Sequence, residues 1–230
     1  MVSNTMNVGK KAINVALAMS GLRLDSGRYL LAWIPLLIAS TWLFYQAQQS
    51  EYLVAYLISV WSFYYIGASL ILGTPLNRII IKKFGEKTAT KFCDMIIGLM
   101  FVNIGLGVAA AALHTGASIP LPPALRWSLV VLLTVIGFAI KFWATWIVGI
   151  DTYYFRDLLL QKTHGEYTAQ GPYKWLANPM YGAGNLHLYG PALITGSLLG
   201  LSFAIACHIG IYAFYYIVER PFIRRTYMTE

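Results

Sequence analysis

The sequence predicts an all-α protein: a polytopic membrane helical bundle of about six transmembrane helices, with both termini cytoplasmic. Three observations carry this reading. Hydrophobic residues make up 58% of the 230 residues and charged residues only 11%, against about 25% charged in soluble domains. The mean hydropathy is +0.60. The apolar residues are gathered into long blocks, with the basic residues in the gaps between alternate blocks. This composition excludes a water-soluble globule, a disordered tail and a free nucleic-acid-binding domain. The formal net charge of +8 reads as charge asymmetry across a bilayer, which attracts anionic lipid headgroups and not nucleic acid.

At the N-terminus, Lys10 and Lys11 precede a short apolar run over 12–22 that is interrupted by Asn14 and Ser20 and followed by Arg23, Asp25 and Arg28. That pattern fits an amphipathic helix in the membrane surface better than a signal sequence. Apolar blocks at 29–48, 53–73, 92–114 and 127–148 are each near the ~20 residues that one crossing needs. The block at 180–218 is 39 residues long, about two crossings, and Thr195, Gly196, Ser197 and Gly200 permit a reversal near its middle. Fifteen of the 17 Lys and Arg residues fall before the first span, in the second and fourth loops, or in the tail. This places those segments and both termini in the cytoplasm. Cys93 and Cys207 both lie in apolar runs, with nothing to pair them. Three regions follow: an interfacial segment 1–28, scaffold helices 29–136 and a core 137–230.

Polarity concentrates in that core. Lys141 lies within a span, about two turns from its cytoplasmic end, where snorkelling to the interface is the better expectation. The run from Gly149 to Asp157 attaches Asp151, Arg156 and Asp157 to three aromatics at the membrane surface. From Gly171 to Gly182 the chain reads GPYKWLANPMYG. Pro172 and Pro179 specify an ordered connection, and Asn178 is positioned to cap a helix with Pro179 in its first turn. Asn185, His187 and Tyr189 follow on that helix. Glu219 is an acid expected in the last turn of the final helix, against the macrodipole, and a residue that breaks a local rule is a functional candidate. No Ser/His/Asp spacing, CxxC, HExxH, P-loop or GxGxxG occurs. Hydrolase, zinc and nucleotide phosphotransfer chemistry are therefore poorly supported, and no metal site is expected.

The run Gly171 to Gly182, followed about 37 residues later by Glu219-Arg220-Pro221-Phe222, resembles the membrane-embedded methyltransferases. That superfamily includes phosphatidylethanolamine N-methyltransferases and isoprenylcysteine carboxyl methyltransferases. The phospholipid branch is the nearer: Asn178-Pro179-Met180-Tyr181 resembles its Asn-Pro-Met-Tyr, and Glu219-Arg220-Pro221-Phe222 its Glu-Glu-Pro-Phe. The likeness covers about 90 residues, 137–227. Arg220 stands where the family has a second glutamate. Val135 and Gly137 stand at the family's glycine pair.

The resemblance implies methyl transfer from S-adenosylmethionine to a membrane phospholipid, foremost the amine of phosphatidylethanolamine and its methylated forms, at the cytoplasmic face. It implies a cofactor wall of Gly137, Gly171, Pro172, Tyr173, Asn178, Pro179 and Tyr181. Glu219 would hold the cofactor's amino group, and Arg220 its carboxylate or the lipid phosphate. Tyr153, Tyr154, Arg156, His187 and Arg220 fall on the substrate side, and Asp157, Glu219 or His164 can serve as base. Other readings are methyl transfer to a prenylcysteine carboxylate or small thiol, an NADPH-dependent steroid-reductase-like enzyme, and a non-catalytic membrane protein of the same fold. The sequence does not fix the oligomeric state.

Overall fold

The computed structural model describes residues 2–23, 29–49, 51–162 and 169–227; Asp25, Arg28 and His164 lie outside them. Long helices account for most of the described chain: α1 (Val2–Met19), α2 (Tyr29–Gln48), α3 (Leu53–Gly73), α5 (Glu86–Leu113), α6 (Pro123–Val148) and α10 (Leu198–Phe214). Shorter ones are α4 (Leu76–Phe84), α7 (Ile150–Tyr153), α8 (Arg156–Leu160), α9 (Gly190–Thr195) and α11 (Arg220–Tyr227). Among the described residues, four helical stretches are long and apolar enough to cross a membrane: Leu53–Gly73, Glu86–Leu113, Pro123–Val148 and Leu198–Tyr227.

α5 is the central helix, in contact with α2, α3, α9 and α10. Its small residues permit this, because Gly107 and Ala110 to Ala112 are buried and let neighbouring helices approach closely. Cys93 and Cys207 are both buried free thiols. α2 and α3 begin and end where the apolar blocks do. α5 starts at Glu86 and α6 at Pro123, each several residues earlier than apolarity alone indicates, because a helix continues past the hydrocarbon while its polar first turns are solvated. The basic second loop contains α4, an amphipathic helix that turns Lys82 and Lys83 to its last turn, where cations suit the dipole.

The block 180–218 does reverse, at Gly196, whose φ of 76° is readily adopted only by glycine. Ser197 then caps α10 by accepting from the Gly200 N–H at 3.1 Å. The two arms differ from expectation. The first is a 3-10 segment, Ala183–Tyr189, running into α9. Together they rise about 23 Å, less than the ~30 Å of a hydrocarbon core. The second does not stop near Val218. It passes through a π-helical turn, Tyr215–Glu219, and continues to Tyr227. Pro221 lacks an N–H and its ring crowds the preceding turn, and the wider π turn accommodates both. Glu219 is therefore not at a helix end, and the dipole argument for it fails.

α1 is docked on the bundle. Val15 and Ala18 are buried, the Tyr154 hydroxyl donates to the Ala18 carbonyl at 3.1 Å, and the Lys11 ammonium lies 4.4 Å from the Trp146 ring centroid. Behind it lies a cluster of four charges. Asp94, buried inside α5, pairs with Arg156 through both guanidinium Nε and Nη2 and lies 3.8 Å from Arg23 Nε. Asp151 accepts from Arg23 at 2.9 Å and from Arg156 at 2.8 Å. Among the described residues, two arginines and two aspartates thus pair across the segment after α1, α5 and the α7–α8 turn. Removing one partner of a buried pair leaves an uncompensated charge and costs about 3–5 kcal/mol. Asp94→Asn is expected to lower stability by about 3 kcal/mol, read as a drop in melting temperature of the detergent-solubilised protein. An unchanged melting temperature would show that the cluster does not hold the fold.

Candidate active site

Residues 134, 137, 138, 141 and 145 fall on one face of α6 at helical spacing. The 3-10 segment 183–189 lies along that face so closely that a Cβ on Gly137 would sit 2.4 Å from the His187 backbone nitrogen. Gly137 thus serves close packing of the two elements. One turn toward the end of α6, Lys141 Nζ donates to Asn185 Oδ1 at 2.8 Å. The Lys141 ammonium is directed inward and does not snorkel to the interface.

This contact borders a cavity of about 510 Å³, within the size range of small-molecule sites. Its walls come from α3 (Tyr64, Tyr65), α5 (Phe101 to Val108), α6 (Thr134, Phe138, Lys141), the α7–α8 turn (Tyr153, Phe155) and the returning segment from Met180 to Ile194. Met19 and Ser20 at the end of α1 also reach it. The lining is mostly apolar; its polar side chains include Tyr153, Tyr181, Lys141, Asn185 and His187, with Ser20, Tyr64, Tyr65 and Thr134.

Beside the cavity lies Glu219. Its Oε2 is sealed from solvent without a hydrogen-bond partner, as is the Tyr181 hydroxyl. The carboxylate is within electrostatic reach of the hydroxyls of Tyr64 and Tyr173 and lies close beside that of Tyr181, although the Tyr181 contact falls short of a well-aligned hydrogen bond. Burial, then the Glu219 charge, pushes the Tyr173 hydroxyl above its usual pKa, so it stays neutral at physiological pH. Burial does the same to Tyr153. The π turn Tyr215–Glu219 sets the direction of the Glu219 side chain. Arg220, the next residue, instead lies over the exposed Tyr216 ring, 5.3 Å from its centroid.

The connecting run forms one 3-10 turn over Gly171–Lys174, with Pro172 buried. Asn178 then accepts from the Tyr181 N–H at 3.2 Å. It caps a turn around the buried Pro179 and Met180 and not an α-helix, since regular structure resumes only at Ala183 in 3-10 form. His187 lines the cavity with its ring 4.5 Å from that of Phe138, and its Nδ1 lies 2.7 Å from the Gly184 carbonyl.

Several of the residues read from the sequence stand elsewhere. Tyr154 is fully buried behind the cavity, with its hydroxyl on Ala18 and Arg23 against its ring. Arg156 is engaged by Asp94 and Asp151. Asp157 is buried, and its Oδ2 accepts from the Tyr227 hydroxyl at 2.8 Å; neither Arg156 nor Asp157 lines the cavity. Phe155, between α7 and α8, holds a left-handed φ of 57° that is costly for a bulky residue; its ring is packed on Phe214 at 5.1 Å. Tyr64 and Lys141 are the residues that sequence reading missed as cavity groups. For Lys141 the signal was its spacing from Thr134 and Gly137, which places all three on one face. Tyr64 gave none.

Comparison with known proteins finds one family by sequence. The sequence model of the phospholipid methyltransferase family matches residues 125–230. Phosphatidylethanolamine N-methyltransferase of Aspergillus flavus is 29% identical over 137 residues, 60% of this chain and 14% of that protein. The enzymes of the same name from Schizosaccharomyces japonicus and Laccaria bicolor are 34% identical over 99 residues and 37% over 83. These stretches cover 43% and 35% of this chain and 11% and 9% of the relatives. The chain thus spans about a seventh or less of the length of these relatives. No solved structure matches it. The matched region begins in α6 and contains most of the polar groups of the cavity, the Asn178 turn and Glu219, and over it the chain is similar to the phospholipid methyltransferase family.

Proposed function

We propose that this chain is an integral membrane methyltransferase that moves methyl groups from S-adenosylmethionine to the amine of phosphatidylethanolamine and its methylated forms. The family match over 125–230 supports the reaction. The observation that carries the donor site is the buried, unpartnered pair of Glu219 Oε2 and the Tyr181 hydroxyl. A carboxylate oxygen sealed from water needs a cation or donor, and the α-ammonium group of S-adenosylmethionine fits that need.

When bound, the cofactor supplies an electrophilic methyl group on a sulfonium. The chain's own work is then holding and orienting. Glu219 would hold the donor's amino group, and Arg220 would have to leave the Tyr216 ring to receive its carboxylate, for which a guanidinium is well shaped. Gly171, Pro172, Tyr173, Asn178, Pro179 and Tyr181 shape the wall on that side. Tyr153 and Tyr181 line the cavity and would offer π faces to a sulfonium or methylated ammonium, and the apolar lining excludes water that would compete for the methyl group.

Purified protein given labelled S-adenosylmethionine and mixed lipids is expected to label phosphatidylethanolamine. Label on a prenylcysteine or thiol instead would overturn the acceptor. Glu219→Gln is expected to weaken S-adenosylmethionine binding about tenfold or more, the scale of a hydrogen bond to a charged group, with the melting temperature without cofactor held or raised. Equal affinity of both forms in calorimetry would remove Glu219 from the donor site.

We further infer six crossings, α2 and the returning 3-10/α9 arm adding to the four long stretches, with the shortfall in that arm's rise met by local thinning of the bilayer, and with both termini and the site at the cytoplasmic face. The distribution of Lys and Arg supports this orientation. Reporter fusions after Glu51 and after Ser118 are expected to read as external and a fusion at the C-terminus as internal. An external C-terminus would show that the returning arm does not cross.

A further inference from the structure

Among the described residues lining the cavity, Lys141 carries the one ammonium or guanidinium group. It sits about 10 Å inside the end of α6, a depth at which an ammonium is retained only where it meets a cavity or a counter-charge. Its single protein partner is the neutral Asn185 amide oxygen; among the described residues no carboxylate pairs with it. An ammonium has three donors, and one is used. The site is built for an anion that the chain itself does not supply.

The order of groups along the cavity indicates which anion. On the returning segment, Tyr181 comes first, Asn185 lies one turn further in, and Pro191 and Ile194 follow. On antiparallel α6, Lys141 is level with Asn185 through their hydrogen bond, and Thr134 is level with Gly190. The cavity therefore runs from aromatic hydroxyls, past one cation and an amide, into an apolar stretch. A phospholipid with a cationic headgroup has the same order: amine, phosphate, acyl chains. At the apolar end Gly105, Phe138 and Ile194 line the cavity and are themselves exposed on the bundle surface, which gives acyl chains a lateral opening.

We propose that Lys141, with Asn185, anchors the phosphodiester of the phospholipid in this cavity and so sets how deep the headgroup rests relative to Tyr181 and Glu219. This deepens the lipid-methylation reading and rests on it for the identity of the acceptor. The anchor itself is a binding statement that stands or falls separately.

The test uses the full chain in non-ionic detergent, titrated with phosphatidylethanolamine, with phosphatidic acid and with phosphate-free diacylglycerol, lipid retention being read by native mass spectrometry. Wild type, Lys141→Met and Lys141→Arg are compared. Lys141→Met is expected to lose about tenfold or more in affinity for both phosphate-bearing lipids, to keep its affinity for diacylglycerol and for S-adenosylmethionine, and to melt no lower than wild type in the absence of lipid. Lys141→Arg is expected to retain more phosphate-lipid affinity than Lys141→Met. Unchanged phosphate-lipid affinity in Lys141→Met overturns the anchor, as does an equal loss for diacylglycerol. A loss confined to S-adenosylmethionine also overturns it and assigns Lys141 to the donor. Lys141-dependent retention of phosphate lipids by a wild type that methylates none of them would uphold the anchor and refute the proposed reaction.

Discussion

The structure depends on neutralising four charges where hydrocarbon gives way to the interface. Asp94 is buried in the central helix, and Arg23, Arg156 and Asp151 converge on it from two other parts of the chain. An isolated carboxylate at that depth is prohibitively desolvated, so the partners must arrive together for α5 to sit where it does. Their arrival fixes the end of α1, which supplies Met19 and Ser20 to the cavity, and the α7–α8 turn, which supplies Tyr153 and Phe155. The left-handed backbone of Phe155 is tolerated because charge pairing on one side and the Phe214 ring on the other over-determine the turn. Net stabilisation by such a cluster is modest, since the pairing energy mainly offsets desolvation. Its larger effect is geometric, because the pairing ties the segment after α1, α5 and the α7–α8 turn together.

Much of the bundle was legible in the sequence. α2 and α3 coincide with their apolar blocks, and the reversal within 180–218 occurs at the small residues that permit it. Two features were not legible. Asp94 sits two residues into an apolar block, and periodicity cannot tell a paired acid from an exposed one when its partners are 62 and 71 residues away in sequence. The returning arm read as a second full helix because hydropathy records what a segment is dissolved in and not its rise per residue. Only contact with α6, through Gly137 and His187, gives a reason for the tighter winding.

The candidate site was legible in its motifs and less so in its geometry. Tyr181, Glu219 and the turn at Asn178 do gather at one place. Tyr154 and Arg156 were drawn toward the substrate by their neighbours in sequence, but their side chains are committed to α1 and to Asp94. Lys141 shows the converse. Read alone on α6 it suggests snorkelling, and only Asn185, 44 residues later, turns it inward. A residue's chemistry in this protein follows from which helix lies opposite it, and that is a tertiary property.

The last helical stretch, Leu198–Tyr227, is 30 residues long, which corresponds to about 45 Å against a hydrocarbon core of ~30 Å. The excess cannot be absorbed at the near end, where Ser197 pins the start of α10 to the Ala111 carbonyl at 2.8 Å. It therefore accumulates at the far end, where Tyr215–Glu219 and the basic turns of α11 meet the headgroups. Hydrophobic mismatch of a few ångströms changes the tilt of such a helix or the thickness of the surrounding lipid. Either response raises or lowers the Glu219 carboxylate relative to the lipid surface, so bilayer thickness itself becomes a variable acting on this site.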